Sequence, residues 1–317
     1  MRLIFMGTPD FAVPSLEALA ASRHEVALVV TQPDRPGGRG RRLRAPAVKL
    51  LAERLGLKVA QPERVSSREG VELLRAAGPE AGVVCAFGEL LSQEVLSLAP
   101  LGFFNVHPSL LPGLRGPAPV VHTILSGDQT TGVSVIRLSG KMDAGDIVNV
   151  SRTAVAPAES AGELAGRLAA LGAGALLEAL DRVESGSAVF EPQDESGATY
   201  APRVTKEDAK IDWARSACFL ERFVRAMSPE PGAHTSFTRR GRSVRLTVLS
   251  ARTAEGQGPA GTVILAEGGR LVVAAGHPHE DAPRALELAV VQPEGKRAMS
   301  AREFLMGYAI SCADRMG

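Results

Sequence analysis

The sequence predicts an α/β fold: a Rossmann-like, mostly parallel sheet with helices on both faces, followed by a smaller C-terminal β-barrel. Three observations carry this expectation. Over the first half of the chain, short apolar runs alternate with helical patterns at β-α-β spacing. Composition then shifts over 186–205, where Glu191, Pro192, Asp194, Glu195 and Gly197 mark a linker. Beyond it, short strands follow one another at hairpin spacing. A chain of 317 residues fits two domains. The expected division is 1–190, a linker at 191–205, and 206–317.

Residues 2–6 are an apolar run that ends at Gly7-Thr8-Pro9, a strand and a tight turn. Pro14 and Ser15 open a helical pattern with Leu16, Leu19 and Ala20 on one face. Residues 24–31 form the second strand. Gly7 stands alone, so this turn lacks the G-x-G-x-x-G pattern of dinucleotide binding. A basic stretch at 32–49 is followed by helix 46–55, strand 57–60, helix 67–77 and strand 82–87. The strand at 101–106 leads into a loop rich in proline, and 120–125 is helical. Strand 131–138, a tight turn at 140–146, strand 147–154 and an amphipathic helix at 161–183 complete the first domain. In the second, helix 216–227 precedes strands 243–249, 262–265, 270–275 and 285–291. Short strands separated by glycine turns suggest an OB-like barrel.

Composition excludes several classes. Hydrophobic residues are 45% and charged residues 22%, a globular profile. The formal net charge is +1, so a nucleic-acid signal has to be local. Aromatics at 4% disfavour a surface that stacks many bases. Cys85, Cys218 and Cys312 are far apart and odd in number, which fits reduced thiols in a cytoplasmic protein. The first residues lack a signal-peptide pattern, and no run of ~18 apolar residues suits a membrane. His277 and His279 have no evident third ligand, so no metal is expected.

One local charge signal stands out. Arg35, Arg39, Arg41, Arg42, Arg44 and Lys49 share a stretch whose only acid is Asp34. A long basic loop after a strand points to a ligand, and guanidinium forks match phosphate oxygens. A solvated charge run is the competing reading.

The chemistry is expected at FNVHPSLLPGLRGPAP. Asn105 and His107 are two apart at a strand's end, so both side chains point to one face. In an open parallel sheet, ligands bind beyond the strands' carboxyl ends. An amide donor beside a titratable imidazole suits a developing oxyanion. Asp143 lies in a turn between two strands of the same sheet, where a carboxylate near His107 would fix its tautomer. Asn, His and Asp together can manage acyl transfer to nitrogen without a nucleophilic residue. The competing reading is that Asn105 and His107 cap a loop and that Asp143 serves turn geometry.

The motifs GTPDFA at 7–12, QPDRPGGRGRRL at 32–43, NVHPSLLPGLRGPAP at 105–119, MDAGDI at 142–147, IDW at 211–213 and QPEGKRAMSA at 292–301 carry a resemblance. In that order they resemble the methionyl-tRNA formyltransferases of the folate-dependent formyltransferase family, over nearly the whole chain. The resemblance implies transfer of a formyl group from 10-formyltetrahydrofolate to the amino group of methionine on initiator methionyl-tRNA, for translation initiation. It puts Asn105, His107 and Asp143 at the catalytic positions. It puts Ser109, Leu110, Leu111 and Pro112 in the folate-contacting loop, with Phe87, Gly88 and Leu90 at the pterin pocket. Arg39, Arg41 and Arg42 fall in the loop that meets the tRNA acceptor end. It implies a catalytic N-terminal domain, a tRNA-binding C-terminal domain, folate as co-substrate, no metal, no membrane and a monomer.

Two positions depart from the family pattern. Leu114 stands where the family usually has Trp before Arg-Gly, and Glu230 stands between Pro229 and Pro231, where Trp is common. Two rival readings remain open. A formyltransferase acting on a small amine would keep Asn105, His107 and Asp143 but lack the basic stretch and the barrel. A non-catalytic RNA-binding protein would leave those three residues idle.

Overall fold

The computed structural model describes residues 1–37, 42–239, 241–276 and 284–317. It divides into two compact units. The first comprises Met1–Pro119, Thr130–Ala154 and Ala165–Ala201, and the second Val120–Gln129, Val155–Leu164 and Pro202–Gly317.

In the first unit, β1 (Arg2–Gly7), α1 (Val13–Ala20) and β2 (Glu25–Val30) form the expected β-α-β start. β3 (Arg35–Gly37) and β4 (Arg42–Arg44) follow, then α2 (Ala47–Arg54), β5 (Val59–Ala60), α3 (Arg68–Ala77), β6 (Ala81–Cys85), α4 (Gln93–Leu96) and β7 (Phe103–His107). After α5 (Pro119–Ser126), which falls almost wholly in the second unit, come β8 (Thr130–Arg137), β9 (Ile147–Ala154) and α6 (Ala161–Glu184), whose first residues also belong to the second unit. Among the described residues the sheet order is β5-β2-β1-β6-β7-β8-β9. The pairs from β5 to β7 are parallel, and β8 and β9 are antiparallel additions. The sheet is therefore mostly parallel, as expected.

The apolar runs are explained by burial. Leu3, Ile4, Phe5 and Met6 are fully buried, as a central parallel strand covered on both faces requires. Ile4, Met6, Val30, Val84 and Phe103 share one core cluster with Val71 and Leu74 of α3. Ser67 caps α3 by accepting from the Gly70 amide, and Gly78, at φ 58°, ends it in the left-handed region.

The basic stretch differs from the expected loop. β3 and β4 pair as a small hairpin, with Arg35 opposite Arg44 and Pro36 opposite Leu43. Arginine, proline and glycine carry no alternation of apolar and polar residues, so the pairing has no sequence signal. Arg39 and Arg41 lie outside the described residues.

In the second unit, α7 (Ala217–Ala226) precedes β10 (His234–Arg239), β11 (Arg242–Ala254), β12 (Val263–Glu267), β13 (Arg270–Ala274), β14 (Ala285–Pro293) and β15 (Met299–Ser300). α8 (Ala301–Gly307) follows. The antiparallel order is β10-β11-β14-β13-β12, with β15 on β14. Arg315 bridges Thr262 and Met316 bridges Phe237, so one short segment pairs at both ends of this curled sheet. The expected C-terminal β-barrel takes the form of this antiparallel curled sheet, a half-barrel. β10 and α8 were not foreseen, although Ser300 and Glu303 form a capping box that was readable. Val121 and Leu125 of α5 pack against the core of this unit. His277 and His279 lie outside the described residues. Among the described residues, no helix is long and apolar enough to cross a membrane.

Candidate active site

β7 places the two expected residues together. Its Val106 side chain lies under Gly172 of α6, where an added Cβ would come within 2.7 Å of it. Val106 therefore faces the helix, and the alternation of a strand sends Asn105 and His107 to the other face. His107 is 4% exposed and Asn105 is partly exposed.

Asp143 joins them. The Asn105 Nδ2 donates to Asp143 Oδ1 at 3.4 Å, and His107 Nδ1 lies 3.6 Å from Asp143 Oδ2. Oδ2 also accepts from the Gly116 amide at 2.9 Å. His107 Nε2 is 2.9 Å from the Leu114 carbonyl oxygen. A carbonyl only accepts, so Nε2 carries a hydrogen, and Nδ1 is the atom turned to the carboxylate. The constellation is a carboxylate, an imidazole and an amide on one face, which can steady an oxyanion and handle an amine proton.

The route of Asp143 to this place differs from the expected one. β8 is antiparallel to β7, with Arg137 opposite Phe104 and Ser134 opposite His107. The turn after β8 thus begins beside the start of β7, not beyond its carboxyl end. It reaches His107 by folding over the sheet face that carries Asn105. Asp143 has φ 50° and Leu114 has φ 59°, both in the left-handed region. Such conformations persist where the surroundings hold them, and they gather at functional sites.

The loop after β7 is pinned from within. Ser109 is buried, and its Oγ donates to Gly113 O at 2.7 Å. Ser134 Oγ donates to Ser109 O at 2.8 Å and accepts from the Leu111 amide at 3.1 Å. Leu111 is buried, while Leu110 and Pro112 are partly exposed. In the neighbouring loop after β6, Phe87 is buried in the core, and Gly88 and Leu90 are exposed. Glu89 holds that loop by accepting from the Val65 and Ser66 amides at 3.2 and 3.4 Å. β6 and β7 are parallel neighbours, so both loops leave the same edge of the sheet. Arg42 lies in β4, and Arg39 and Arg41 fall outside the described residues.

Several residues of this site went unnoticed in the sequence. The atom that meets His107 is the backbone oxygen of Leu114, so the departure from Trp leaves this contact intact. Gln193 and Arg115 also converge here, although 191–205 reads as linker. Cys85 is fully buried, and burial pushes its thiol up to about 12. Among the described residues, one group of possible metal ligands converges: His24, Asp181 and Glu184. Its carboxylates pair with Arg23, and Glu184 also pairs with the Met1 amine. It sits at the amino ends of β1 and β2, away from Asn105.

Residues 1–180 match the family model described as formyl transferase, and 203–309 match that described as formyl transferase, C-terminal domain. The chain belongs to the formyl transferase family. A relative named methionyl-tRNA formyltransferase from Solibacter usitatus is 44% identical over 317 residues, covering 100% of this chain and 99% of its own. Another of that name, from Chloroflexus aurantiacus, is 44% identical and covers 97% of each chain. Among solved structures, HypX from Aquifex aeolicus in complex with tetrahydrofolic acid superposes with a TM-score of 0.62 at 19% identity. That match covers 96% of this formyl transferase chain and 47% of HypX, so this chain spans about half the length of HypX. The likeness to HypX is one of fold.

Proposed function

We propose that this formyl transferase moves the formyl group of 10-formyltetrahydrofolate to the amino group of methionine on initiator methionyl-tRNA, for translation initiation. The meeting of Asn105, His107 and Asp143 on one sheet face is the observation that carries the reading. Full-length likeness to relatives bearing that name selects the substrate.

In this mechanism the neutral amine attacks the formyl carbon. A C–N bond forms, the carbonyl oxygen becomes an oxyanion, and the bond to N10 of the folate then breaks. Asn105 offers the oxyanion the amide hydrogen that does not face Asp143. His107 exchanges the Leu114 carbonyl for the oxyanion at Nε2 and keeps Asp143 at Nδ1. Asp143 steadies the ring and orders a water that carries the amine's proton to N10.

The folate is proposed to lie between the loops after β6 and β7. Gly88, Leu90, Leu110 and Pro112 offer accessible surface there, whereas Phe87, Ser109 and Leu111 shape the loops from beneath. Leu90, 66% exposed, suits an apolar ring face. Arg39, Arg41 and Arg42 are proposed to meet tRNA phosphates. Catalysis is assigned to 1–190, tRNA affinity to 206–317, and the working state to a cytoplasmic monomer. The test is direct. Protein, 10-formyltetrahydrofolate and charged initiator tRNA are mixed, and tetrahydrofolate release is followed. Release that requires the charged tRNA supports the reading; release with a small sugar amine in its place, or none at all, refutes it.

A further inference from the structure

One side chain outside the reacting group ties its two loops together. Gln193 Nε2 donates to Asp143 O at 2.8 Å and to Gly145 O at 2.7 Å. Its Oε1 accepts from Arg115 Nε at 3.1 Å and Nη2 at 2.8 Å. Arg115 is held in turn by Glu195 through two bonds of 3.0 Å. The guanidinium keeps the Glu195 carboxyl below the usual carboxylate range.

The backbone completes the brace. The Arg115 amide donates to Thr199 O, the Ala201 amide donates to Arg115 O, and the Leu114 amide donates to Thr199 Oγ1. The segment 193–201 thus grips the loop that supplies Leu114 O to His107 and the Gly116 amide to Asp143. Through Gln193 it also grips the turn that carries Asp143. Asp143 and Leu114, both left-handed, need such support to hold their places.

We propose that Gln193 is a positioning residue for formyl transfer, locking the Asp143 turn to the Arg115 loop so that the carboxylate faces His107. This rests on the reading of Asn105, His107 and Asp143 as the reacting group. Gln193 touches no reacting atom. It acts by fixing the turn's carbonyls with its amide hydrogens and the loop's guanidinium with its oxygen.

The test uses Gln193→Glu in the full chain. This variant keeps the size and the acceptor for Arg115 but sets a carboxylate oxygen against the carbonyls of Asp143 and Gly145. Single-turnover transfer at saturating substrates should fall about 10–100-fold, with folate affinity unchanged. In an Asp143→Asn background the same change should add little further loss, since the two act as a unit. The nitrogen resonance of His107 Nδ1 should move in Gln193→Glu in the same direction as in Asp143→Asn. A wild-type rate, losses that multiply in the double variant, or an unmoved His107 resonance each overturn the proposal. If Gln193→Glu does not fold, Gln193→Met, which loses both arms without adding charge, is read by the same criteria. If the wild-type chain transfers no formyl group, the functional reading fails, and the His107 resonance alone decides the role of Gln193.

Discussion

The Nδ1 atom of His107 lies 3.6 Å from Oδ2 of Asp143, and the other ring nitrogen meets the Leu114 carbonyl at 2.9 Å. The ring is thus held from both ends; in the proposed transfer it keeps the Asp143 contact and gives up the Leu114 one, so Asp143 is the partner whose loss should be felt in the rate.

Asp143→Asn keeps size and turn geometry but removes the charge beside the ring. Single-turnover transfer is expected to fall by ~10²–10³, and His107→Ala by a similar factor. The double variant should lose little more than either single one. Fully additive losses, or a near-normal rate for Asp143→Asn, would leave Asp143 as a turn residue only.

Gly145→Ala tests the turn itself. A Cβ there would run into the Arg137 carbonyl oxygen, because the Arg137 amide donates to Asp146 O at 2.8 Å across the same turn. The turn must shift, and a displacement of this kind should cost about 100-fold in transfer rate. A crystal structure with Asp143 unmoved beside His107, together with full activity, contradicts this.

Neutralising Arg39, Arg41 and Arg42 should weaken tRNA binding much more than folate binding. Each phosphate contact removed should flatten the log–log salt dependence by roughly one unit. Titrations of charged tRNA at several salt concentrations check it; an unchanged slope excludes the stretch from tRNA contact.

The second unit carries its own pH signature. Glu287 on β14 is 7% exposed and accepts from Arg270 and Arg252 at 2.8 Å each, linking three adjacent strands. The Arg270 hydrogen bond, then that of Arg252, lowers its carboxyl from 4.5 to about 2. A depressed folded value means the stabilisation is present above the unfolded value and fades as pH falls from about 4.5 through about 2. Glu287→Gln should therefore cost ~2 kcal/mol in urea unfolding at pH 7. Near pH 2 wild type and variant should converge, and a gap that persists there refutes the ion-pair account.

Much of this was legible. β7 was readable because an apolar run ends in Asn-x-His, and a strand's alternation then fixes their shared face. The route of Asp143 was not: a turn between two strands of one sheet suggested that it could face His107, but the antiparallel entry of β8, which makes the turn fold back over the sheet face, leaves no local pattern. Gln193 was hidden for a plainer reason. Its partners Asp143 and Arg115 are 50 and 78 residues away, and its neighbours have linker composition. The hairpin of β3 and β4 was missed because arginine, proline and glycine give no alternation to read.

A fragment of residues 1–205 leaves Val121 and Leu125 without the core they join, so it is expected to be prone to aggregation, and its soluble fraction to bind folate and to lose tRNA affinity. Equilibrium binding of both ligands to the fragment and the full chain measures this. Undiminished tRNA affinity in the fragment would move the tRNA contacts away from 206–317.

Neither compact unit is one continuous stretch of chain, because residues 120–129 and 155–164 belong with the later one. During synthesis, Val121 and Leu125 leave the ribosome well before the α7 and barrel residues whose core they join. Until those arrive, a helix with an uncovered apolar side waits in a nascent chain whose earlier sheet can already form. That interval, rather than any weakness of the finished protein, is when aggregation or chaperone capture is expected.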